Sequence, residues 1–505
     1  MQRLFFRQAH ARAGLLLVLS AVALGACGND GESGVPTRGG SVTRPQIEGP
    51  IGGGSGAPFL ATTTFDLAQV GYSQAEFFIS GTASAYANDG PLQDDGKWVV
   101  TRSTDATYKT RIVVYRPIDP KKFNGTVIVE WLNVSGGVDA APDWLGAHTE
   151  FIRDGFAWVG VSAQALGIEG GPSLLGLPVR PLKQVDPARY GTLTHPGDSF
   201  SYDIYSQAAQ AVRRPFGPNP LGNLKPASVI AAGESQSAFR MVTYIDAVHP
   251  RDDIFDGFMV HSRGSTLPAP LSESPLPVIN APGAAKLRDD LNVPVLTFET
   301  ETDLSFLMYL PAQQPDSERF RLWEVAGTSH ADAYIAIVGA TDPGNSPDAG
   351  NILVTSTPTA GVSCNAPINS GPQHFVLNAA FKALNDWVRH GVAPPTSPLI
   401  QVTATAIPRI RRDANGNALG GIRTPQVDVP IATLSGEGQT GSIFCALFGT
   451  TRLFDAAKLA TLYPSHDAYV SAFNAATDSA VQAGFLLPPD AELMKTAAAQ
   501  STIGQ

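Results

Sequence analysis

Apolar positions along this chain alternate between continuous runs and helical periods. The first strong run covers 126–132, a helical pattern follows from about 142 to 153, and a second apolar run lies at 157–162. Runs with few polar interruptions suit parallel strands buried on both faces, and the helix between them completes a βαβ unit. This order predicts an α/β fold on a mostly parallel sheet flanked by helices.

The alternation continues along the chain and changes after about residue 394. Two β-rich stretches, at 97–102 and 108–116, predict an antiparallel start to the sheet. Further strands are expected at 229–232, 255–261, 294–298 and 320–325, and helices at 199–214 and 374–390. Beyond them we expect a β-rich piece over 399–435 with a turn at 415–417, and then helices at 466–481 and 489–499.

The N-terminal segment has the pattern of an export signal. Arg3, Arg7 and Arg12 precede an apolar run at 14–26 that is too short for a membrane span of about 20 residues. The sequence L-G-A-C ending at Cys27 is similar to a bacterial lipoprotein cleavage site, so residues 1–26 are predicted to be the signal peptide and Cys27 to be lipidated. We expect a lipid-anchored protein of the periplasm or outer membrane; the alternative is a plain secretory signal.

Composition divides the remaining chain into three predicted parts. Residues 27–57 are rich in Gly, Ser, Pro and Thr and are expected to form a flexible tether. Residues 58–395 are expected to form the core, with insertions at about 263–290 and 338–372 that shape or cover a pocket. Residues 396–505 form a C-terminal extension, packed on the core or separate from it.

Net charge excludes one class of partner. The 505 residues carry a formal charge of -10, and no basic stripe is interleaved with aromatic residues, which argues against nucleic-acid binding. The expected partner is a small-molecule or oligomeric substrate, with membrane contact only through the N-terminal anchor. The sequence leaves the oligomeric state open.

The cysteines predict one disulfide. Besides Cys27, the chain contains Cys364 and Cys445, and two leftover thiols in an oxidising compartment usually pair. The alternative is two separate buried thiols. No Cys-x-x-Cys or His-Glu-x-x-His pattern occurs and no Gly-x-Gly-x-x-Gly turn follows a predicted strand, so neither a metal nor a cofactor is expected.

The strongest candidate for chemistry lies at 233–237, with the sequence G-E-S-Q-S between an apolar run and a helical pattern. A hydroxyl at the apex of a strand–turn–helix stands clear of the backbone, and the helix N-terminus aims amide donors at whatever it attacks. Ser235 is therefore predicted to be a nucleophile. Ser237 stands where the commoner motif has glycine, and such residues also occur in ordinary turns.

Acyl transfer by a serine needs a base and a carboxylate that orients it, and here the order serine, acid, histidine is possible. The predicted strand at 294–298 runs into Glu301 and Asp303, and the strand at 320–325 runs into His330. His330 is the predicted base. Asp303 is the predicted acid because of its distance past the strand, with Glu301 as the alternative.

Backbone amides are expected to stabilise the oxyanion. One is the amide of Gln236, directly after the predicted nucleophile, and the other lies in the turn after an earlier strand. Asn133, Val134 and Ser135 are candidates for that turn, and we take the amide of Val134. The glycines at 136–137 would let a ligand approach the backbone closely.

Several motifs also resemble those of a known family. W-L-N-V-S-G-G at 131–137, D-W at 143–144 with His148, G-V-S-A-Q at 160–164 and the G-E-S-Q-S motif look like those of bacterial α/β-hydrolase-domain, esterase-like proteins. The resemblance runs from about residue 60 to near the C-terminus and implies an α/β-hydrolase fold with lid-like insertions. It suggests that Trp144, His148 and Gln164 line the site; the alternative is that they are core residues. Asn133 and Glu301 are two further candidates for the pocket.

The resulting hypothesis is a serine hydrolase that cleaves carboxylic esters through Ser235, His330 and Asp303 and an acyl-enzyme intermediate. An amidase or peptidase would use the same three residues. A cell-surface binding protein on a hydrolase scaffold is the alternative from another class, although a binder has no need of all three groups in order.

Overall fold

A nine-stranded sheet runs through the computed structural model, which describes residues 38–265 and 268–505. The strands lie in the order β1-β2-β3-β5-β4-β6-β7-β8-β9. Pairs up to β3·β5 are antiparallel, and all pairs from β5 to β9 are parallel. The strands are β1 Gln46–Glu48, β2 Tyr72–Asn88, β3 Val100–Pro117, β4 Thr126–Trp131, β5 Ala157–Val161, β6 Ser228–Glu234, β7 Gly257–His261, β8 Val295–Thr300 and β9 Phe320–Val325.

Helices connect these strands and cover the sheet, which confirms the predicted fold of a mostly parallel sheet flanked by helices. A small separate ladder joins β10 Ala432–Ser435 to β11 Thr450–Leu453. The helices are α1 Pro142–Asp154, α2 Ala165–Glu169, α3 Leu182–Val185, α4 Pro187–Tyr190, α5 Ser201–Arg213, α6 Gln236–Thr243, α7 His249–Asp252, α8 Glu301–Ser305, α9 Gln373–His390, α10 Pro425–Asp428, α11 Ala456–Leu462, α12 His466–Gln482 and α13 Pro488–Gln500.

The core lies on both faces of the sheet because side chains alternate along each strand. On β4, Val127 and Val129 join one buried cluster, which also contains apolar residues of α5 and α6. Ile128 between them points into a second cluster, together with apolar residues of α1 and α9. Both faces of the central strands are therefore dry, as the unbroken apolar runs predict.

The antiparallel start of the sheet differs from the prediction. The stretches at 97–102 and 108–116 belong largely to one strand, β3, whose partner is β2. Sequence reasoning missed β2 because Ala, Ser and Gly, none of which favours strands, make up much of it. Pairing with the β-rich β3 along nearly its whole length outweighs that weak propensity.

The predicted tether at 27–57 needs correction at its C-terminal end. Within it, Gln46–Glu48 forms β1, which pairs with β2, and the amide of Ile51 donates to the carbonyl of Glu76. Backbone pairing to the sheet edge therefore holds a segment that has few apolar residues of its own. The predicted signal peptide at 1–26 and Cys27 lie outside the described residues.

The C-terminal part also differs from its prediction. Of the β-rich piece expected over 399–435, the structure has β10 and a few isolated bridges, although the turn at Gly416 is present, with a φ of 84°. The two last helices, α12 and α13, are confirmed, and they share a buried cluster with Phe375 of α9. Residues 38–505 form one compact unit.

The predicted disulfide between Cys364 and Cys445 is confirmed. It joins the insertion at 338–372 to a short 3-10 turn, Ile443–Phe448, in the C-terminal extension. Within residues 38–265 and 268–505, no helix is both long and apolar enough to cross a membrane.

Candidate active site

Ser235 occupies a sharp turn between β6 and α6. Its φ of 58° and ψ of -122° lie in a region that non-glycine residues rarely adopt, so the surrounding structure must hold the strain. Its amide donates to the carbonyl of His261 at the end of β7, at 2.9 Å. A Cβ at Gly233 would lie 3.0 Å from the backbone of Ser237, so a side chain there would crowd the turn. The turn places Oγ of Ser235 within hydrogen-bond distance of His330.

The carboxyl ends of β6, β8 and β9, at one edge of the parallel part of the sheet, bring Ser235, Asp303 and His330 together. Nε2 of His330 lies 2.7 Å from Oγ of Ser235, and its Nδ1 lies 2.7 Å from Oδ1 of Asp303. Because an ionised carboxylate only accepts hydrogen bonds, Nδ1 carries the proton and donates it to Asp303. Nε2 is then the acceptor that faces the hydroxyl of Ser235.

Asp303 is fixed from behind by the start of α8. Its Oδ2 accepts hydrogen bonds from the amide and the hydroxyl of Thr300, each at 2.7 Å, in a capping box at the helix N-terminus. The side chain of Asp303 is buried, and protein groups rather than water hold it in place.

Glu301, the alternative acid, faces elsewhere. Its carboxylate accepts from the amides of Gly327 and Gly436, at 2.7 and 3.1 Å, and pairs with Arg412 at 3.0 Å. It ties α8 to the C-terminal extension and makes no contact with His330. The capping box is what separates the roles of two carboxylates that lie two residues apart.

Glu234 was not singled out from the sequence, yet it lies against the same imidazole. Its Oε1 is 3.3 Å from Nε2 of His330, and its Oε2 accepts from Nδ2 of Asn133 at 3.1 Å. Burial raises the pKa of Glu234 to about 7, although the nearby His330 and His261 lower it. The sequence did offer one signal for Glu234, which is its position directly before Ser235 in the G-E-S-Q-S motif.

Opposing effects act on His330. Burial lowers its pKa, but the carboxylates of Glu234 and Asp303 raise it more strongly, so the net shift is upward from the usual value. Both acidic groups favour the imidazolium, one beside each ring nitrogen. The arrangement is suited to an imidazole that gains a proton from Ser235.

Two loops carry the amides predicted to meet an oxyanion. Gln236 is the first residue of α6, where the amide has no partner within the helix. In the loop after β4, Nδ2 of Asn133 donates to the carbonyl of Glu234 at 3.1 Å. Oδ1 of Asn133 accepts a hydrogen bond from the amide of Ser135 at 2.8 Å. The amide of Asn133 itself donates to the carbonyl of Ala140 at 2.9 Å, so Val134 stays our prediction for the second amide. The bond from Asn133 to Glu234 holds the loop against the serine turn.

A cavity of about 340 Å³ opens over Ser235 and His330. We call it the first cavity. Asn133, Ser135 and Gly136 contribute part of its wall, and most of the remainder is apolar. The other wall residues are Ala61, Val138, Ala140, Pro142, Leu175, Leu177, Glu234, Ala331, Ile335, Ala336, Pro358, Thr359, Phe444, Leu447 and Phe448.

Three residues that the resemblance suggested for the pocket lie in the core instead. Trp144 is fully buried and donates to Thr63 Oγ1, and His148 contacts the carbonyls of Trp144 and Asp342. Gln164 accepts from Trp131 and donates to Asp198. None of the three is among the cavity's wall residues. In this chain the three residues therefore serve packing and buried hydrogen bonding.

The assembled groups can perform one kind of chemistry without a cofactor. An imidazole held by a carboxylate can remove the proton of a hydroxyl as that hydroxyl attacks a carbonyl, and amides nearby can stabilise the resulting oxyanion. Across the described part of the chain, no group of three or more His, Cys, Asp or Glu side chains is arranged to hold a metal ion.

Comparison with known proteins identifies the kind of domain. A family profile described as "Alpha/beta hydrolase domain" matches residues 47–496. No curated protein matches the chain. Solved structures resemble it only distantly.

Three of those structures illustrate the distance. An acetyl xylan esterase from a Thermoanaerobacterium species is 10% identical, with 56% of this chain and 81% of that chain covered and a TM-score of 0.27. An α/β serine hydrolase without a lid from Xanthomonas campestris is 14% identical, covering 49% and 86%, with a TM-score of 0.26. A glucuronoyl esterase from Solibacter usitatus is 10% identical, covering 50% and 76%, with a TM-score of 0.25.

Proposed function

This chain belongs to the α/β-hydrolase domain family, and from that premise we propose that it is a serine hydrolase that cleaves carboxylic esters. The observation that carries the proposal is the continuous hydrogen-bonded chain from Ser235 through His330 to Asp303, open to a cavity at the serine.

The proposed reaction has two halves. Ser235 Oγ attacks the ester carbonyl while Nε2 of His330 takes its proton, and Asp303 holds the imidazole in place. The amides of Gln236 and Val134 stabilise the oxyanion. His330 then protonates the leaving alcohol, which departs and leaves an acyl group on Ser235. A water molecule deprotonated by His330 hydrolyses that acyl-enzyme and restores the free hydroxyl.

Esters are favoured over amides because their leaving alcohol needs less help from an acid. The same groups could cleave an activated amide, so a matched pair of ester and anilide substrates with one acyl group distinguishes the two activities. We expect a higher kcat/KM for the ester.

The test is hydrolysis of short p-nitrophenyl esters by the purified protein and three variants. Ser235→Ala and His330→Ala should each lower kcat by at least about 10³-fold. Ser237→Ala is the matched control, since Oγ of Ser237 is buried in the same motif without a hydrogen-bond partner among the described residues. Full activity in Ser235→Ala would contradict the proposal, and so would absence of turnover by folded wild type across the ester panel.

We also propose that the protein is exported and anchored through a lipid on Cys27. The basic and apolar N-terminal residues and the L-G-A-C sequence support this. Radiolabelled palmitate should enter the wild-type protein and not Cys27→Ser; equal labelling of both would reject the anchor.

A further inference from the structure

We infer that the first cavity selects a neutral ester that carries an apolar chain. This inference deepens the proposed function and rests on it, because the cavity is the space that Ser235 and His330 share.

Apolar side chains from three separate parts of the chain dominate the wall. Leu175 comes from the segment before α3, Ile335 follows His330, and Phe444 and Leu447 come from the C-terminal extension. Each is only partly buried, so water reaches its surface when the cavity is empty. A ligand chain that covers these side chains removes apolar surface from water on both partners.

The wall contains little that would attract a charged substrate. Among the described residues that line it, the ionisable ones are Glu234 and His330, and no lysine or arginine is present. A carboxylate on the substrate would lie near the acidic Glu234, with no lysine or arginine in the wall to pair with it, at the cost of its own desolvation. The cavity therefore discriminates against anionic esters such as those of dicarboxylic acids.

The volume sets an upper limit to the chain. About 340 Å³ lies at the lower end of small-molecule sites, which hold roughly 300–1,000 Å³. Each methylene that enters should raise kcat/KM about fourfold, and the gain should stop once the cavity is filled.

The first experiment uses two ester series that distinguish which side of the ester enters. One series lengthens the acyl chain of p-nitrophenyl esters from acetate to octanoate, and the other lengthens the alcohol of acetate esters. A rise in kcat/KM of several-fold per methylene in one series, followed by a plateau, is the expected result and identifies that side. Flat profiles in both series, with acetate still hydrolysed, would overturn the inference and leave the proposed hydrolase intact.

The second experiment compares neutral and anionic substrates of equal length. p-Nitrophenyl hexanoate should have a kcat/KM at least about tenfold above that of its ω-carboxylate analogue. Leu447→Arg places a cation in the wall and should reverse or abolish this preference. Ile443→Arg is the matched control, because Ile443 belongs to the same 3-10 turn but is 66% exposed and does not line the cavity.

The outcomes of the second experiment are separable. Equal use of the two substrates by wild type, or the same shift in both arginine variants, would overturn the inference about charge. Loss of acetate hydrolysis in Leu447→Arg is checked against Leu447→Met, which keeps the wall apolar and should retain the wild-type preference.

A different observation supports a second proposal. We propose that Glu234 is a positioning residue, which holds His330 toward Ser235 and stabilises the protonated imidazole during attack. Its carboxylate lies 3.3 Å from Nε2, the atom that receives the proton, and Asn133 fixes it from the other side. Asp303 contacts only Nδ1, so the two acidic groups act at different ring atoms.

The ionisable surroundings define the test of this proposal. His330, His261, Asp143 and Asp303 act on Glu234, and Glu234 and Asp303 act on His330. Glu234→Gln keeps the size and the acceptor for Asn133 while it removes the charge. The acidic limb of the kcat/KM profile should then move down by about one pH unit, and kcat should fall about tenfold.

The control for Glu234→Gln is a buried carboxylate with no contact to the imidazole. Glu301→Gln should lower stability, because Glu301 pairs with Arg412. It should nevertheless leave the acidic limb of the kcat/KM profile in place. An unmoved limb in Glu234→Gln, with either normal or reduced kcat, would assign Glu234 a purely structural role and overturn the proposal. A limb that moves equally in both variants would also overturn it.

Discussion

Two cavities adjoin the turn at Ser235 and Gln236, and their walls differ in chemistry. The first cavity, of about 340 Å³, has Ser235 and His330 in its wall. The second cavity, of about 400 Å³, is lined by Gln236 and Arg240, with Leu174, Phe239, Pro268, Ala269, Pro270, Asn280 and Ala281. The guanidinium of Arg240 is already paired with Asp198 and Glu273, at 3.0 and 2.6 Å.

The difference shows that volume does not identify the reactive space. The two cavities are similar in volume, yet the described wall of the second has no nucleophile and no base, and its one cation is paired with two carboxylates. The first cavity has the serine, the imidazole and a mostly apolar surface. Turnover should therefore depend on the groups around the first cavity and be insensitive to side chains of the second, where Gln236 takes part in the proposed reaction only through its backbone amide.

The largest effect is expected from the carboxylate behind His330. Asp303→Asn should lower kcat by about 10³- to 10⁴-fold because the amide favours the wrong imidazole tautomer. Glu301→Gln should stay within about tenfold, since Glu301 makes no contact with the imidazole. Steady-state kinetics on one short ester measures both, and similar losses in the two variants would contradict the assignment of Asp303.

The disulfide is expected to support the first cavity from a distance. Cys445 lies between Phe444 and Leu447 of the wall, and its partner Cys364 is 81 residues away. Replacing both cysteines with serine should lower the free energy of unfolding by about 2–4 kcal/mol and weaken chain-length selectivity. Denaturant unfolding measures the first effect, with Cys27→Ser as the control. Unchanged stability in the double variant would rule out this supporting role.

The pH profile gives a smaller but diagnostic effect. His330 must be neutral to accept a proton, and its pKa is raised by Glu234 and Asp303 in spite of burial. Activity should therefore fall as the pH decreases through a value above the usual histidine pKa of about 6.5. A kcat/KM profile that stays flat down to about pH 5.5 would contradict this.

The smallest effect separates two adjacent leucines. Leu175 lines the first cavity, whereas Leu174 lines the second and is 68% exposed. Leu175→Ala should lower kcat/KM for a hexanoate ester a few-fold relative to acetate, because apolar contact is lost. Leu174→Ala should change neither rate by more than about twofold. The reverse pattern would break the distinction between the two cavities.

The parallel half of the fold could be predicted because its signals are local. The apolar runs of β4 to β9 and the periodicity of α1 and α9 are long, and the order serine, acid, histidine follows from strands that end at one edge. The weakly apolar β2 could not be predicted, since its structure depends on pairing with β3.

The candidate site was predictable in its polar centre and not in its walls. Spacing alone favoured Asp303 over Glu301, but the contact with His330 depends on a capping box that only the folded backbone forms. Phe444 and Leu447 reach the first cavity from more than a hundred residues beyond His330. No local pattern encodes such a contact. Trp144 illustrates a different error: the resemblance suggested that it lines the site, but its side chain is fully buried in the core.

The most direct test of the central claim is labelling of the mature protein with a fluorophosphonate probe, followed by peptide mapping. A hydroxyl activated by His330 should form a covalent adduct on Ser235, with labelling abolished in Ser235→Ala and retained in Ser237→Ala. Adduct formation on another residue, or no labelling of the folded wild-type protein, would contradict the account.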